Sequence, residues 1–181
     1  MLPEAEAVLD WWFHVLPEDK QFTRDDAVDA EIRAKFGDIH VRLAQGVPES
    51  WQDCAKSLLA AIIVLDQFSR NLFRDDARAF ANDATARGLT EMAIARDWDA
   101  ELTPEQRAFL YMPLMHSEHL ADVERCETLM AASGLGDNAE FAARHAATIR
   151  RFGRYPARNA ALGRECTEAE AELLKENPAG F

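Results

Sequence analysis

The sequence predicts an all-α protein with about nine helices, arranged as one domain over residues 1–181. Three observations support this prediction. Residues that favour the start of a helix recur along the chain, apolar residues repeat at a spacing of three and four, and the period-two alternation of a half-buried strand is lacking. With 181 residues, of which 48% are hydrophobic, the chain is long enough to bury a sizeable core.

The start and stop signals give the helix boundaries. The predicted helices cover residues 3–13, 24–45, 52–70, 77–96, 104–117, 119–132, 138–152, 157–162 and 168–175. Thr103 and Thr167 begin capping boxes, and Asp137 is predicted to cap the helix that starts at residue 138. The short loops and the absence of a Gly/Ser linker favour one domain built from successive antiparallel helix pairs.

The second and third predicted helices differ in their apolar pattern. In the second helix, five apolar residues fall on one stripe, as in an amphipathic helix: Val28, Ile32, Phe36, Ile39 and Leu43. In the third helix, the run from Leu58 to Leu65 is apolar on every side. A helix that is apolar all round is normally buried, so we expect the third helix to lie at the centre of the molecule.

Charge and cysteine content limit the classes of partner. The net charge of −12 opposes attraction to nucleic acid or to an anionic membrane, so neither is an expected partner. The longest apolar run, Leu58 to Leu65, is far shorter than a bilayer span. Cys54, Cys126 and Cys166 are widely separated and form no paired motif, which indicates neither a disulfide framework nor a zinc ribbon. The acidic N-terminus is unlike a secretory signal, and we expect a cytoplasmic location.

Three polar clusters, each at the end of an apolar helical stretch, are the candidate functional regions. They cover residues 65–71, 116–119 and 150–159. Charges among large apolar residues are costly to bury unless they are paired, so such clusters indicate internal ion pairs or the lining of a ligand pocket. The segment from Phe141 to Arg164 contains six arginines and no acidic residue, which suits contacts with carboxylate or phosphate.

Each cluster has a functional and a structural interpretation. In the first cluster, Asp66 and Arg70 are four residues apart, a spacing that allows an ion pair within the helix or the lining of a pocket. In the second cluster, His116 and His119 with Glu118 and His145 could form a metal or acid–base site, or they could be histidines whose hydrogen bonds are satisfied in a core or an interface. Glu118 faces away from His116 and no H-E-x-x-H spacing is present, so we expect no metal and no cofactor.

The third cluster is the strongest candidate for a ligand site. A turn forced by Gly153 and Pro156 is predicted to present Arg154, Arg158 and Asn159 together. The alternative is that these arginines are neutralised by acidic residues of the same chain, including Asp66 and Glu118. We further expect the three clusters to meet, with Asp66, Glu118 and Arg154 in one neighbourhood, because mutual pairing satisfies buried polar groups at the lowest cost.

Three hypotheses follow from these clusters. The first is a binding module for an acidic peptide or a small anionic ligand, with the following ligand-binding residues: Asp66, Arg70, Asn71, His116, Glu118, Arg154, Arg158 and Asn159. The second is a small hydrolase or transferase in which His116 acts with Glu118 or Asp66 as acid and base. The third is purely structural: the polar clusters stabilise the fold by pairing with one another.

The assembled motifs resemble a bacterial family known as domain of unknown function 924. The resemblance spans nearly the whole chain and depends on Trp51 and on these segments: Val8–Phe13, Leu65–Phe73, Arg78–Phe80, Phe109–Glu118 and Arg151–Gly163. It implies a tetratricopeptide-like superhelix of antiparallel helix pairs and implies no established activity. Two positions depart from the family pattern, Ser69 in place of proline and Ala157 in place of histidine, and the second departure weakens any catalytic hypothesis based on that position.

Overall fold

The computed structural model describes residues 1–180, and this part of the chain forms helices and no strands. Its α-helical segments are α1 (Pro3–Asp10), α2 (Glu18–Gln21), α3 (Asp26–Gln45), α4 (Ala55–Ile62), α5 (Ser69–Leu72), α6 (Asp83–Ala95), α7 (Pro104–Met115), α8 (Leu120–Ala132), α9 (Gly136–Phe152) and α10 (Glu168–Glu176). A π-helical turn over Ile63–Phe68 joins α4 to α5 in one helix, so the described residues contain nine helices. The all-α prediction is confirmed.

The chain divides into two compact units. The first unit contains Met1–Arg74 and Arg78–Leu110, and the second contains Asp75–Ala77 and the chain from Tyr111 onward. The boundary falls within α7, after Leu110. The single domain over residues 1–181 and the tetratricopeptide-like superhelix stay predictions, and residue 181 of that domain lies outside the described residues.

The helix formed by α4, the π-helical turn and α5 is the centre of the first unit. Residues 58–65 are each at most 1% exposed, as the uniformly apolar sequence predicts. Helices α1, α3 and α6 pack against this central helix. The apolar stripe of α3 is buried over its whole length, so the predicted amphipathic pattern directs α3 onto its neighbours. Asp25 caps α3 by accepting hydrogen bonds from the N–H groups of Ala27 and Val28.

A helical hairpin of α8 and α9 forms the core of the second unit. Residues 133–135 connect the two helices, and Val123 of α8 packs with Ala146 and Ile149 of α9. Gly153 ends α9 in the left-handed region, at a φ of 69°, and its N–H donates to the carbonyl of Ile149. The following turn brings Tyr155 back to the same apolar core. Thr167 then begins α10 with the predicted capping box.

Two local predictions are wrong, and one short helix was missed. The helix predicted at 157–162 is a 3₁₀ turn over Pro156–Arg158 followed by further turns, because so short a segment adds too few hydrogen bonds to sustain an α-helix. Asp137 does not cap α9, which begins one residue earlier, so the Asp137 carboxylate lies in the first helical turn, where the helix dipole favours it. The short helix α2 was not predicted.

Candidate functional site

The first cluster is built around the guanidinium of Arg70. Its Nη1 lies 3.1 Å from Asp66 Oδ1, and the side chain of Asp66 is only 1% exposed. The predicted ion pair within the helix is therefore confirmed. Arg70 also donates to both carboxylate oxygens of Asp83, at 3.0 and 3.1 Å, and the sequence analysis missed this second partner. Gln67 Nε2 donates to the other oxygen of Asp66, at 2.6 Å.

Asn71, at the end of the same cluster, is held by Asp29 of α3. Asn71 Nδ2 donates to Asp29 Oδ1 at 2.7 Å. Arg74 binds the same carboxylate through Nε and Nη2, and the Nη2 bond to Oδ1 is 2.8 Å long. No local pattern in the sequence predicts this arrangement, because Asp29 is 42 and 45 residues away from its two partners.

The second and third clusters meet at Glu118. Arg164 donates to both of its carboxylate oxygens, each at 2.9 Å, and the N–H of Tyr155 donates to Oε1 at 2.9 Å. Burial alone raises the pKa of Glu118, but the hydrogen bonds from Arg164 and Tyr155 outweigh it, so the pKa is lowered. Glu118 is therefore an ionised carboxylate whose oxygens are already engaged.

Arg158 and His116 lie beside Glu118. Arg158 Nη2 donates to the backbone carbonyl of His116 at 2.8 Å, and the Arg158 guanidinium lies over the ring of Tyr155, 4.8 Å from its centroid. The ring of His116 lies 6.4 Å from that of His145, which is buried and bonds to the carbonyl of Phe141 through Nδ1. Because a carbonyl oxygen only accepts hydrogen bonds, Nδ1 of His145 is the donor of this bond.

Arg154 is paired with Glu170, the N3 residue of α10. Arg154 Nε and Nη2 donate to the two oxygens of Glu170 at 2.6 and 2.8 Å, and Nη2 also donates to the carbonyl of Glu165 at 2.9 Å. The hydrogen bonds from Arg154 are the largest cause that lowers the pKa of Glu170, to about 2. Asn159 is fully buried and donates to Glu170 Oε2 at 3.4 Å. The sequence predicts carboxylates around the arginines, but no local pattern in it indicates Glu170.

The second and third clusters therefore meet within the second unit, as predicted. Glu118 and Arg154 lie close enough for their charges to interact, and this attraction contributes to the raised pKa of Arg154, of which the hydrogen bond with Glu170 is the largest cause. Asp66 belongs to the first unit, and its place in the same neighbourhood stays a prediction.

An open depression of about 450 Å³ adjoins the Arg154–Glu170 pair. We call it the Arg151 depression, and its lining residues are Arg151, Phe152, Arg154, Thr167, Ala169 and Glu170. Arg151 is exposed, and its guanidinium lies over the Phe152 ring, 4.6 Å from the centroid. Within residues 1–180 it has no acidic partner. Part of the Arg-rich segment is therefore accessible to a ligand at this depression.

The described part of the chain contains neither a group of metal ligands nor a membrane-spanning helix. Between residues 1 and 180, no three side chains of His, Cys, Asp or Glu are grouped so that they could hold a metal ion. No helix among the same residues has both the length and the apolar character needed to cross a bilayer.

These features define an all-α protein in which arginine–carboxylate pairs connect the ends of helices. A family model described as a bacterial protein of unknown function (DUF924) matches residues 8–178, and the chain belongs to this family. The chain is also similar to a solved structure, a protein of unknown function from Agrobacterium tumefaciens. The TM-score is 0.90 at 36% sequence identity, covering 96% of this chain and 97% of that one. A comparison with curated proteins found no match.

Proposed function

We propose that this protein is a binding module whose second unit receives an acidic peptide at the Arg151 depression. One observation carries the proposal: the guanidinium of Arg151 stands at the edge of an open depression, supported by the Phe152 ring and without an acidic partner among residues 1–180. A charge held in this way keeps its full capacity to bind an anion, because no carboxylate of the described residues competes for it.

Arg154 adds a second donor at the same depression. Its Nε and Nη2 are used by Glu170 and by the carbonyl of Glu165, whereas Nη1 makes no hydrogen bond within the described residues. The Glu170 carboxylate fixes the plane of the guanidinium, so that Nη1 loses little further freedom when a ligand binds. Phe152, beside the two arginines, offers an apolar surface to a side chain that follows the bound carboxylate.

Charge favours a short acidic peptide over a longer polyanion. The net charge of −12 repels an extended polyanion such as nucleic acid. The segment from Phe141 to Arg164, which supplies both arginines, contains six arginines and no acid. At the depression itself, Arg151 and Arg154 face one lining carboxylate, that of Glu170, so a short peptide there meets a local excess of positive charge.

The other predicted ligand-binding residues of the second unit take supporting roles in this proposal. Arg158 is bound to the carbonyl of His116, and buried Asn159 is bound to Glu170. Both hold the Arg154 region in place. Glu118 gives no support to the hydrolase or transferase alternative, because its lowered pKa makes it a weak general base and an unsuitable general acid at neutral pH.

Fluorescence anisotropy with a labelled Glu-rich peptide tests the proposal. Arg151→Gln should weaken binding about tenfold, since the hydrogen bonds of a charged group are lost. Arg144→Gln is the matched control: Arg144 is an exposed arginine of the same helix, lies over the ring of Phe141, and does not line the depression. Equal weakening by both variants would mean that only the overall charge matters. If inorganic phosphate bound and the peptide did not, the ligand of the Arg151 depression would be a small anion and not a peptide.

A further inference from the structure

A second cationic depression lies in the first unit, beside the N-terminal turns of α3. It has a volume of about 340 Å³, and the polar residues of its lining are Arg24, Arg33, Arg74, Asn71, Asp26 and Asp29. We call it the Asp29 depression. Three arginines against two aspartates leave a formal charge of +1 in a chain whose net charge is −12. All of these residues belong to the first unit, and none of them lines the Arg151 depression.

Two of the three arginines are fixed by bonds that leave part of each guanidinium unused. Asp29 holds Arg74 through its Nε and Nη2, and the backbone carbonyl of Leu72 accepts a hydrogen bond from Arg33 Nη2 at 2.8 Å. Within residues 1–180, Nη1 of both arginines and Nε of Arg33 have no hydrogen-bond acceptor. These donors are therefore oriented in advance, which lowers the entropy cost of binding an anion.

The charge of Asp29 is already matched inside the cluster. Its side chain is 11% exposed and accepts hydrogen bonds from both Arg74 and Asn71. A buried carboxylate that is fully engaged does not repel an incoming anion as strongly as a free one would. Arg33 has no acidic partner within residues 1–180, so its positive charge is available to an anion.

The shape and charge of this depression suit one ligand class. A phosphate group presents three strong acceptor oxygens in different directions, whereas a carboxylate presents two in one plane. Donors that come from Arg33 on α3 and from Arg74 after α5 can therefore both reach a phosphate. The limited volume and the strongly negative chain disfavour a polymeric ligand such as nucleic acid. We propose that the Asp29 depression binds the phosphate group of a small phosphate monoester.

Calorimetric titration with glycerol 3-phosphate tests this proposal on the full chain at constant ionic strength. Arg33→Gln should weaken binding about tenfold, because an oriented charged donor is lost. Arg42→Gln is the control, since Arg42 is an exposed arginine farther along the same helix, paired with exposed Glu4. It should bind the ester as the wild type does. Arg33→Lys keeps the charge without the guanidinium fork and should fall between the two.

Three results would overturn the proposal. The first is no saturable heat with the ester up to about 20 mM, far above an affinity that matters in a cell. The second is equal weakening by Arg33→Gln and Arg42→Gln, which would show only a long-range effect of charge. The third is binding of inorganic phosphate as tight as that of the ester, which would make free phosphate the ligand. Peptide binding at the Arg151 depression should be unchanged in Arg33→Gln, so the two sites are tested independently.

Discussion

Glu170 holds the guanidinium of Arg154 through both of its carboxylate oxygens, at 2.6 and 2.8 Å. The Glu170 side chain is 2% exposed, so its charge is almost entirely removed from water. The same carboxylate accepts a hydrogen bond from the N–H of Thr167, at 2.7 Å, as part of the capping box. One side chain therefore caps α10 and also fixes the arginine that lines the Arg151 depression.

We expect the Arg154–Glu170 pair to make stability depend on acid pH. The pKa of Glu170 is lowered from its ordinary value of 4.5 to about 2 in the folded protein. A lowered folded pKa means that the stabilisation is present above pH 4.5 and is lost as the pH falls toward 2, because protons then bind the unfolded state first. Thermal melts in a series of buffers across this range measure the loss.

Two variants isolate the contribution of Glu170 to this acid dependence. Glu170→Gln should flatten the decrease in melting temperature between pH 4.5 and 2. Glu172→Gln should follow the wild type, because Glu172 lies on the same helix but is 65% exposed and pairs with exposed Lys175. Superimposable acid profiles of wild type and Glu170→Gln would contradict the assignment.

In the first cluster, removal of Arg70 should destabilise the protein more than removal of Asp83. Arg70→Ala should lower the free energy of unfolding by about 3 kcal/mol or more, because Asp66, only 1% exposed, loses its guanidinium partner. Asp83→Ala should cost only about 1 kcal/mol, since Arg70 keeps Asp66 and the Asp83 side chain is 17% exposed. Urea unfolding measures both values. Equal losses would show that the pairing of Asp66 with Arg70 adds nothing to the stability, because Arg70→Ala removes both ion pairs and Asp83→Ala removes one.

The three cysteines should differ in reactivity toward a disulfide reagent at pH 8. Burial raises the pKa of the Cys126 thiol to about 12, and the residue is fully buried, so it should react only after unfolding. Cys166 is exposed and should react in the folded protein. At Cys54, burial raises the pKa of the thiol, but hydrogen bonds with Ser57 and its neighbours outweigh burial, so the pKa is lowered. This partly exposed thiol should therefore also react. Rapid labelling of Cys126 in a variant that combines Cys54→Ser and Cys166→Ser would contradict this order.

Tyr155 should stabilise the second unit through its hydroxyl as well as its ring. The hydroxyl donates to the carbonyl of Met115 in a buried position, at the C-terminal end of α7. Tyr155→Phe should therefore cost about 1 to 2 kcal/mol by leaving this acceptor without its partner. Tyr155→Leu should cost more, because the ring contacts with Arg158 and His145 are lost too. Urea unfolding that ranks the two variants in the opposite order would mean that the ring contacts contribute nothing, and an unchanged stability of Tyr155→Phe would mean that the hydroxyl contributes nothing.

The features that the sequence predicts correctly are local ones. The capping box at Thr167, the apolar stripe of α3 and the ion pair of Asp66 with Arg70 each depend on residues within one helix. The uniformly apolar run at 58–65 also specifies its own burial, whatever its neighbours are.

The missed partners are distant in sequence. Arg164 is 46 residues from Glu118, and Glu170 is 16 residues from Arg154 across an irregular turn. The chain has 20 basic and 32 acidic residues, so spacing alone cannot select which of them pair. The path of the backbone through Gly153 and the 3₁₀ turn decides that choice. It is also where the sequence analysis wrongly placed a helix.

The π-helical turn at Ile63–Phe68 decides where the central helix can lose a residue. A π-helical turn is equivalent to one residue inserted into an α-helix, so deleting one residue there would restore a regular α-helical turn and leave α5 near its present orientation. Deleting one residue from α4, which is regular α-helix, would instead rotate α5 by about 100° relative to the start of the helix. Ser69 would then leave His40, now 2.8 Å away, and Arg70 would turn away from Asp83. Relatives of this chain should therefore exchange one apolar residue for another at positions 63–65 with little penalty. A gap of one residue should be accepted within the π-helical turn and selected against in α4.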